Sequence, residues 1–95
     1  MSSVSELEAT VRKTVARYNR FRSPEAIARL VRLSPECVTI AFSGAFCASC
    51  GVLGYIEGFV HEFKSFTDTA ELKIDKTREA SPRRLEVDFK VVLKP

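Results

Sequence analysis

The stretch VTIAFSGAFCASCGVLGYIEGF, Val38 to Phe59, holds two different apolar periodicities with a pair of cysteines between them. Apolar residues alternate with smaller or polar ones as far as Phe42, which is typical of a strand with one buried face. After the cysteines, apolar residues recur at three- and four-residue spacing, which indicates an amphipathic helix. The stretch therefore predicts a strand, a loop that carries Cys47 and Cys50, and a helix whose N-terminus lies beside them.

The remaining apolar patterns predict one more helix and two clear strands. Residues 4–18 place apolar side chains at helical spacing, with arginine and lysine on much of the outer face. Residues 70–74 and 85–93 alternate between apolar and mostly charged side chains, as half-buried strands do. We expect the charged segment between them, KTREASPRR at 76–84, to be the loop of an antiparallel hairpin.

Residues 24–33 are consistent with either a helix or a strand. The Ser-Pro-Glu sequence at 23–25 is a good helix start, and Ile27, Leu30 and Val31 follow at helical spacing. Against this, Ile27, Val31 and Leu33 share the parity of a strand. Local signals alone slightly favour a short helix before the Ser-Pro-Glu turn at 34–36.

Length and composition indicate one domain in a reducing compartment. The 95 residues suffice for a single domain, 1–95, with a modest core, and no apolar run is long enough to span a bilayer. The first ten residues lack the features of a signal peptide, so we expect a cytoplasmic protein without membrane contact. In such a compartment a Cys-x-x-Cys pair more often serves metal or redox chemistry than a structural disulfide.

The positive charge is concentrated in the N-terminal third. The net charge is +3, and residues 1–33 carry seven Lys or Arg against three Glu. This distribution is compatible with a non-catalytic binding module that presents a basic N-terminal face to an acidic partner. Aromatic residues are not interleaved with the cations and no nucleic-acid-binding motif is present, so we expect a solvated basic face and no nucleic-acid binding.

Two cysteines at a helix N-terminus favour thiolate chemistry. The unpaired backbone N–H groups and the helix dipole stabilise a thiolate, which serves equally as nucleophile, metal ligand or cluster ligand. A closed zinc site needs four ligands, and the chain offers only Cys37, Cys47, Cys50 and His61. Cys37 would lie about 20 Å away along the strand, and His61 about 16 Å along the helix. A closed site within one chain is therefore not expected.

Two copies of the chain supply the missing ligands. Four thiolates from two loops match the ligand set of a [4Fe–4S] cluster, and a zinc ion shared between chains would satisfy the same count. Without metal, Cys47 and Cys50 could instead cycle between dithiol and disulfide. Gly51, Gly54 and Gly58 lie on one stripe of the helix, which indicates either close packing within the chain or a close approach by a second chain or cluster.

Residues 22–50, RSPEAIARLVRLSPECVTIAFSGAFCASC, resemble the C-terminal, cluster-carrying domain of NifU-like iron–sulfur assembly proteins. The resemblance implies a first hairpin strand at 26–33, in preference to a helix. It also implies that Cys47 and Cys50 of two subunits hold one [4Fe–4S] cluster for delivery to apoproteins. The partners would be acceptor apoproteins or cluster-assembly proteins, in a cluster-dependent homodimer.

The same loop is also similar to a thioredoxin-type redox site, with a strand, an aromatic residue before Cys47, and a helix opening on the cysteine pair. That likeness implies a dithiol–disulfide oxidoreductase, so whether the protein is an enzyme stays open. We expect an α+β fold, a small mixed sheet of three to four strands covered by two helices. The order implied by the NifU-like resemblance is α-β-β-α-β with an extra C-terminal strand.

Overall fold

The elements alternate along the chain in the order helix, hairpin, helix, hairpin. The computed structural model describes residues 3–22, 26–44, 52–81 and 84–93. Within these residues the α+β class with two helices is confirmed, and the sheet has four strands. The elements are α1 (Ser3–Arg22), β1 (Ile27–Leu33), β2 (Cys37–Ser43), α2 (Val52–Phe66), β3 (Ala70–Ser81) and β4 (Arg84–Leu93).

The sheet has the strand order β1-β2-β4-β3, and every pair of neighbouring strands is antiparallel. β2 and β3, which the connection through α2 joins, run in the same direction but are separated by β4. The described pairings are therefore antiparallel where a mixed sheet was expected. The two central strands contribute most of the buried sheet residues because they have a neighbour on both sides.

Both helices cover the same face of the sheet. α1 packs against β1 and α2, and α2 packs against β3. The core between them is aromatic: the ring of Phe59 on α2 lies 5.5 Å from Tyr18 of α1 and 5.6 Å from Phe42 of β2 and Phe89 of β4. Ring pairs at this separation stabilise beyond the apolar area that they bury. Neither described helix is long and apolar enough to cross a membrane.

The segment that local signals favoured as a helix is the edge strand β1, so that interpretation was wrong and the strand implied by the resemblance is confirmed. The reason is a β-bulge: Leu30 pairs with Ile40 and Arg32 pairs with Thr39, which leaves Val31 as an extra residue. A bulge shifts the parity of the side chains, so Leu30 and Leu33 both pack against the core at a spacing of three. That spacing imitates a helix in the sequence.

The second hairpin is longer than expected. The strand predicted at 70–74 continues to Ser81, through most of the segment that was expected to be a loop. Its charged half pairs with β4, where Arg78 lies opposite Glu86. Arg78 donates hydrogen bonds to Asp88 at 2.8 and 3.2 Å and to Glu86 at 3.3 Å. Opposite charges across the two strands thus extend the pairing of β3 with β4 into a segment that has no alternating apolar pattern.

The sheet face turned away from the helices is charged. On this face Thr39 is 2% exposed and donates a 2.7 Å hydrogen bond from Oγ1 to Asp88 Oδ1. The hydrogen bonds from Arg78, followed by the one from Thr39, hold the pKa of Asp88 well below its ordinary value, at about 2. The centre of this face is therefore a network of polar side chains around one ionised carboxylate.

Candidate functional site

The candidate site is the connection from β2 to α2. β2 ends at Ser43, and Gly44 follows with a φ of 128°, a conformation that other residues rarely adopt. α2 begins at Val52. Cys47 and Cys50 fall between these two positions and lie outside the described residues. The chain therefore leaves the sheet at a residue whose conformation favours glycine and enters the helix eight residues after Gly44, with both cysteines in between.

The first turns of α2 are held by α1. The Tyr18 hydroxyl donates a 3.0 Å hydrogen bond to the carbonyl oxygen of Tyr55, and Tyr18 itself is fully buried. Burial raises the pKa of Tyr18 to about 12, so its hydroxyl remains protonated and continues to donate at physiological pH. Ile56 and Phe59 on the same turns are also buried, and the Phe59 ring lies 5.5 Å from that of Tyr18. The helix that follows the cysteines is thus fixed to the rest of the fold at its start.

Arg22 occupies the space beside Gly58. Its guanidinium carbon lies 4.7 Å from the centre of the Tyr18 ring, and its Nη1 lies 3.6 Å from a carboxylate oxygen of Glu62. A Cβ added at Gly58 would come within 2.8 Å of Arg22 Nη2. The glycine at this position therefore allows the flexible end of Arg22 on α1 to pack closely, and a side chain there would make the guanidinium shift.

Gly54 has different surroundings. It is exposed, and a Cβ at this position would meet no heavy atom within 4 Å. Packing against other described residues does not explain a glycine here, although glycine inside a helix costs about 0.8–1 kcal/mol relative to alanine. Gly51, the first member of the stripe, lies outside the described residues. The three glycines therefore do not share one structural role.

The other two candidate ligands lie away from the β2–α2 connection. Cys37 is a half-buried free thiol at the opposite end of β2, paired with Lys90, and six residues of strand separate it from Ser43 by about 20 Å. His61 lies on the exposed side of α2, about 13 Å along the helix from Val52. Among the residues that the structure describes, no three His, Cys, Asp or Glu side chains are grouped to hold a metal ion.

Intramolecular ion pairs occupy part of the basic N-terminal face. Arg12 pairs with Glu8 at 2.8 Å, and Arg17 and Arg22 share Glu62 at 3.3 and 3.6 Å. Lys13 and Arg20 are exposed and have no ion pair with another described residue. The charge that α1 presents to a partner is thus smaller than the sequence count indicates.

Sequence reasoning did not find the anchor that Tyr18 and Arg22 provide for α2. The apolar spacing of α1 identified Tyr18 as a buried residue, but it gave no signal that the hydroxyl would reach Tyr55, 37 positions away. The glycine stripe indicated close packing or a close approach, but no signal identified Arg22 as the residue that lies beside Gly58. Comparisons of the chain with protein-family models, with curated proteins and with solved structures found no match.

Proposed function

We propose that this protein carries an iron–sulfur cluster on Cys47 and Cys50, with the cluster shared between two copies of the chain. The observation that supports this most is the order of elements: a buried strand ends at Ser43, an anchored helix begins at Val52, and both cysteines fall in the short connection. N–H groups at a helix N-terminus stabilise thiolates, which are the ligands that clusters require.

The ligand count supports sharing between two chains. Strand and helix geometry keep Cys37 and His61 about 13–20 Å from the ends of the connection, so each chain contributes two thiolates. A [4Fe–4S] cluster takes four, which a second chain supplies. The exposed helix surface at Gly54 offers open space for that chain beside the cysteine connection. A zinc ion held by the same four thiolates would satisfy the ligand count equally, and metal analysis distinguishes zinc from an iron–sulfur cluster.

In this proposal the cluster is cargo, passed to acceptor apoproteins or received from cluster-assembly proteins. Such work needs reduced thiols, which is why we place the protein in the cytoplasm. The chain's own contribution would be to present two thiolates at a fixed helix start. The shared cluster would be reached from both chains and would be released when the two chains separate.

The test is anaerobic reconstitution with iron and sulfide, followed by metal analysis and size-exclusion chromatography. We expect a brown dimer with about four irons per two chains. Cys47→Ser and Cys50→Ser should each abolish the colour and the dimer, whereas Cys37→Ser, the matched control, should retain both. A cluster that stays on a monomer without added thiol, or that is lost in Cys37→Ser alone, would show that the ligand assignment is wrong.

The same samples distinguish a thioredoxin-like oxidoreductase from a carrier. An oxidoreductase needs a reversible disulfide between Cys47 and Cys50 and reduces model disulfides, whereas a carrier needs neither. Rapid reduction of insulin disulfides by a protein that binds no iron would replace the carrier proposal with the enzymatic one.

A further inference from the structure

A half-open apolar cavity lies at the end of the molecule formed by the start of α1, the end of α2 and the turn between β1 and β2. Its volume is about 480 Å³, within the range of small-molecule sites. Phe63, which is fully buried, and Ala70 form part of its inner wall, together with the half-buried Leu7 and Val91. The cavity is thus bounded by side chains from both helices and both strands of the second hairpin.

The mouth of this cavity carries exposed apolar surface. Leu93 is 76% exposed and Phe66 is 36% exposed, and both line the cavity. Large apolar side chains at the edge of a concave site are ordinarily covered when a ligand enters. Two of the exposed large apolar residues of the described chain therefore converge on one opening.

The charged side chains that line the cavity have one sign, and the nearby cation Arg17, which lies 5.7 Å from the Phe66 ring, is paired with Glu62. Among the described lining residues, Glu6 and Glu36 are the only charged ones, and neither side chain forms an ion pair or hydrogen bond with another described residue. Both are exposed, so they remain available to a ligand. An apolar interior with two carboxylates at its edge matches a molecule that has an apolar body and a cationic head.

We infer that this cavity binds a small amphipathic amine, with the apolar body against Phe63 and Ala70 and the ammonium group beside Glu6 and Glu36. The inference is independent of the cysteine chemistry, so Cys47→Ser or Cys50→Ser should not change the binding of the amine. Because the net charge of the protein is +3, a preference for an amine over a carboxylate of the same length tests the role of the two glutamates. Non-specific attraction to a cationic protein would favour a fatty acid, so a preference for the amine has to come from the local carboxylates.

The experiment measures binding of octylamine, hexylamine and octanoate to the full chain by calorimetry, with NMR shifts to locate the ligand. Octylamine should perturb Leu93 and Phe66 and bind at least about fivefold more tightly than octanoate. Each methylene should tighten binding by about fourfold, so hexylamine should bind more weakly than octylamine. Octanoate bound as tightly as octylamine, or no octylamine binding at all, would overturn the inference.

Variants test the carboxylates directly. The double variant Glu6→Gln/Glu36→Gln should weaken the binding of octylamine by about fivefold and remove its preference over octanoate. The charge-matched control Glu57→Gln/Glu79→Gln changes two exposed carboxylates outside the cavity. It should leave the affinity for octylamine and the preference over octanoate unchanged. All four positions are exposed, so folding is retained and circular dichroism checks it. Equal effects of the two double variants would refute the inference. A dimer that does not bind octylamine and that Leu93→Asn dissociates would also refute it, because the cavity would then be covered by a second copy of the chain.

Discussion

Gly54 and Gly58 lie on the same helix, but alanine should act differently at the two positions. Gly54→Ala adds a methyl group in open space and should stabilise the protein by about 0.5–1 kcal/mol through helix propensity. Gly58→Ala gains the same propensity but displaces the Arg22 guanidinium from the Tyr18 ring, a contact worth about 0.5–1 kcal/mol at a partly exposed site. Urea unfolding should therefore show a clear gain for Gly54→Ala and a net change near zero for Gly58→Ala. Equal gains would mean that the Arg22 contact contributes nothing.

Asp88 should give the protein a measurable acid sensitivity. Its pKa in the folded state is about 2, below the ordinary value of 3.8, because Arg78 and Thr39 donate hydrogen bonds to the ionised form. A lowered folded-state pKa stabilises the fold above the ordinary value, and this contribution is lost as the pH falls toward 2. Asp88→Asn should therefore be less stable at neutral pH and lose less stability between about pH 4 and 2 than the parent chain.

Unfolding curves recorded at several pH values check the Asp88 prediction. The matched control is Asp75→Asn, which removes an exposed carboxylate of β3 that forms no hydrogen bond or ion pair with the described residues of the network around Arg78. A pH dependence of Asp88→Asn that matches that of the parent chain would show that the hydrogen bonds from Arg78 and Thr39 do not favour the charged carboxylate.

At the scale of elements, β1 depends on one side chain of α1. Asn19 Nδ2 donates a 3.0 Å hydrogen bond to the Ala28 carbonyl oxygen, and the Ala28 N–H donates to Asn19 Oδ1 at 2.6 Å. Asn19→Ala leaves two buried backbone groups without this partner and should cost about 1–3 kcal/mol. Asn19→Asp keeps an acceptor for the N–H but opposes an oxygen to the carbonyl, so it should also destabilise. Urea titration with hydrogen exchange at Ala28 tests both variants, and an unaffected Ala28 amide would contradict this role.

The elements also show how far the sequence reasoning could reach. β2, α2 and the apolar part of the second hairpin were predictable because each has an uninterrupted period that the core enforces, as at Val38, Ile40 and Phe42. The spacing within β1 did not predict a strand, because the bulge at Val31 places its core residues three apart, and only the family resemblance implied the strand. The outer half of β3 was not predictable either, because it pairs through cross-strand charges, and a charged segment without apolar alternation is typical of a loop in the sequence.

The candidate site divides in the same way. Spacing alone predicted the strand and the helix on either side of Cys47 and Cys50, and the role of the two cysteines stays a prediction. The support for α2 comes from Tyr18 and Arg22, which are distant in the chain, and no local pattern encodes a contact between two elements. The cavity between the two helices and the second hairpin could not be predicted either, since its lining comes from four separate elements and two connections between elements.

For the whole molecule, the aromatic core should make unfolding a single event. The Phe59 ring is fully buried and contacts rings from α1, β2 and β4, so it joins both layers. Phe59→Ala should cost about 3–5 kcal/mol. The control Phe66→Ala, on the same helix but 36% exposed, should cost about 1 kcal/mol or less. Far-ultraviolet and near-ultraviolet dichroism should report coincident transitions, and helix signal that is lost before tertiary signal would contradict this coupling.

The two outer strands of the sheet have a consequence for the behaviour of the protein at high concentration. An open strand edge is a template on which another molecule's strand can add, and such growth leads to aggregation. Here β1 is interrupted by its bulge, and the Ala28 backbone is already hydrogen-bonded to Asn19, while β3 has two register shifts and many charged residues of both signs. Growth by strand addition is therefore hindered on both sides. We expect concentrated samples to resist fibril formation, even though the described sheet is open at both edges.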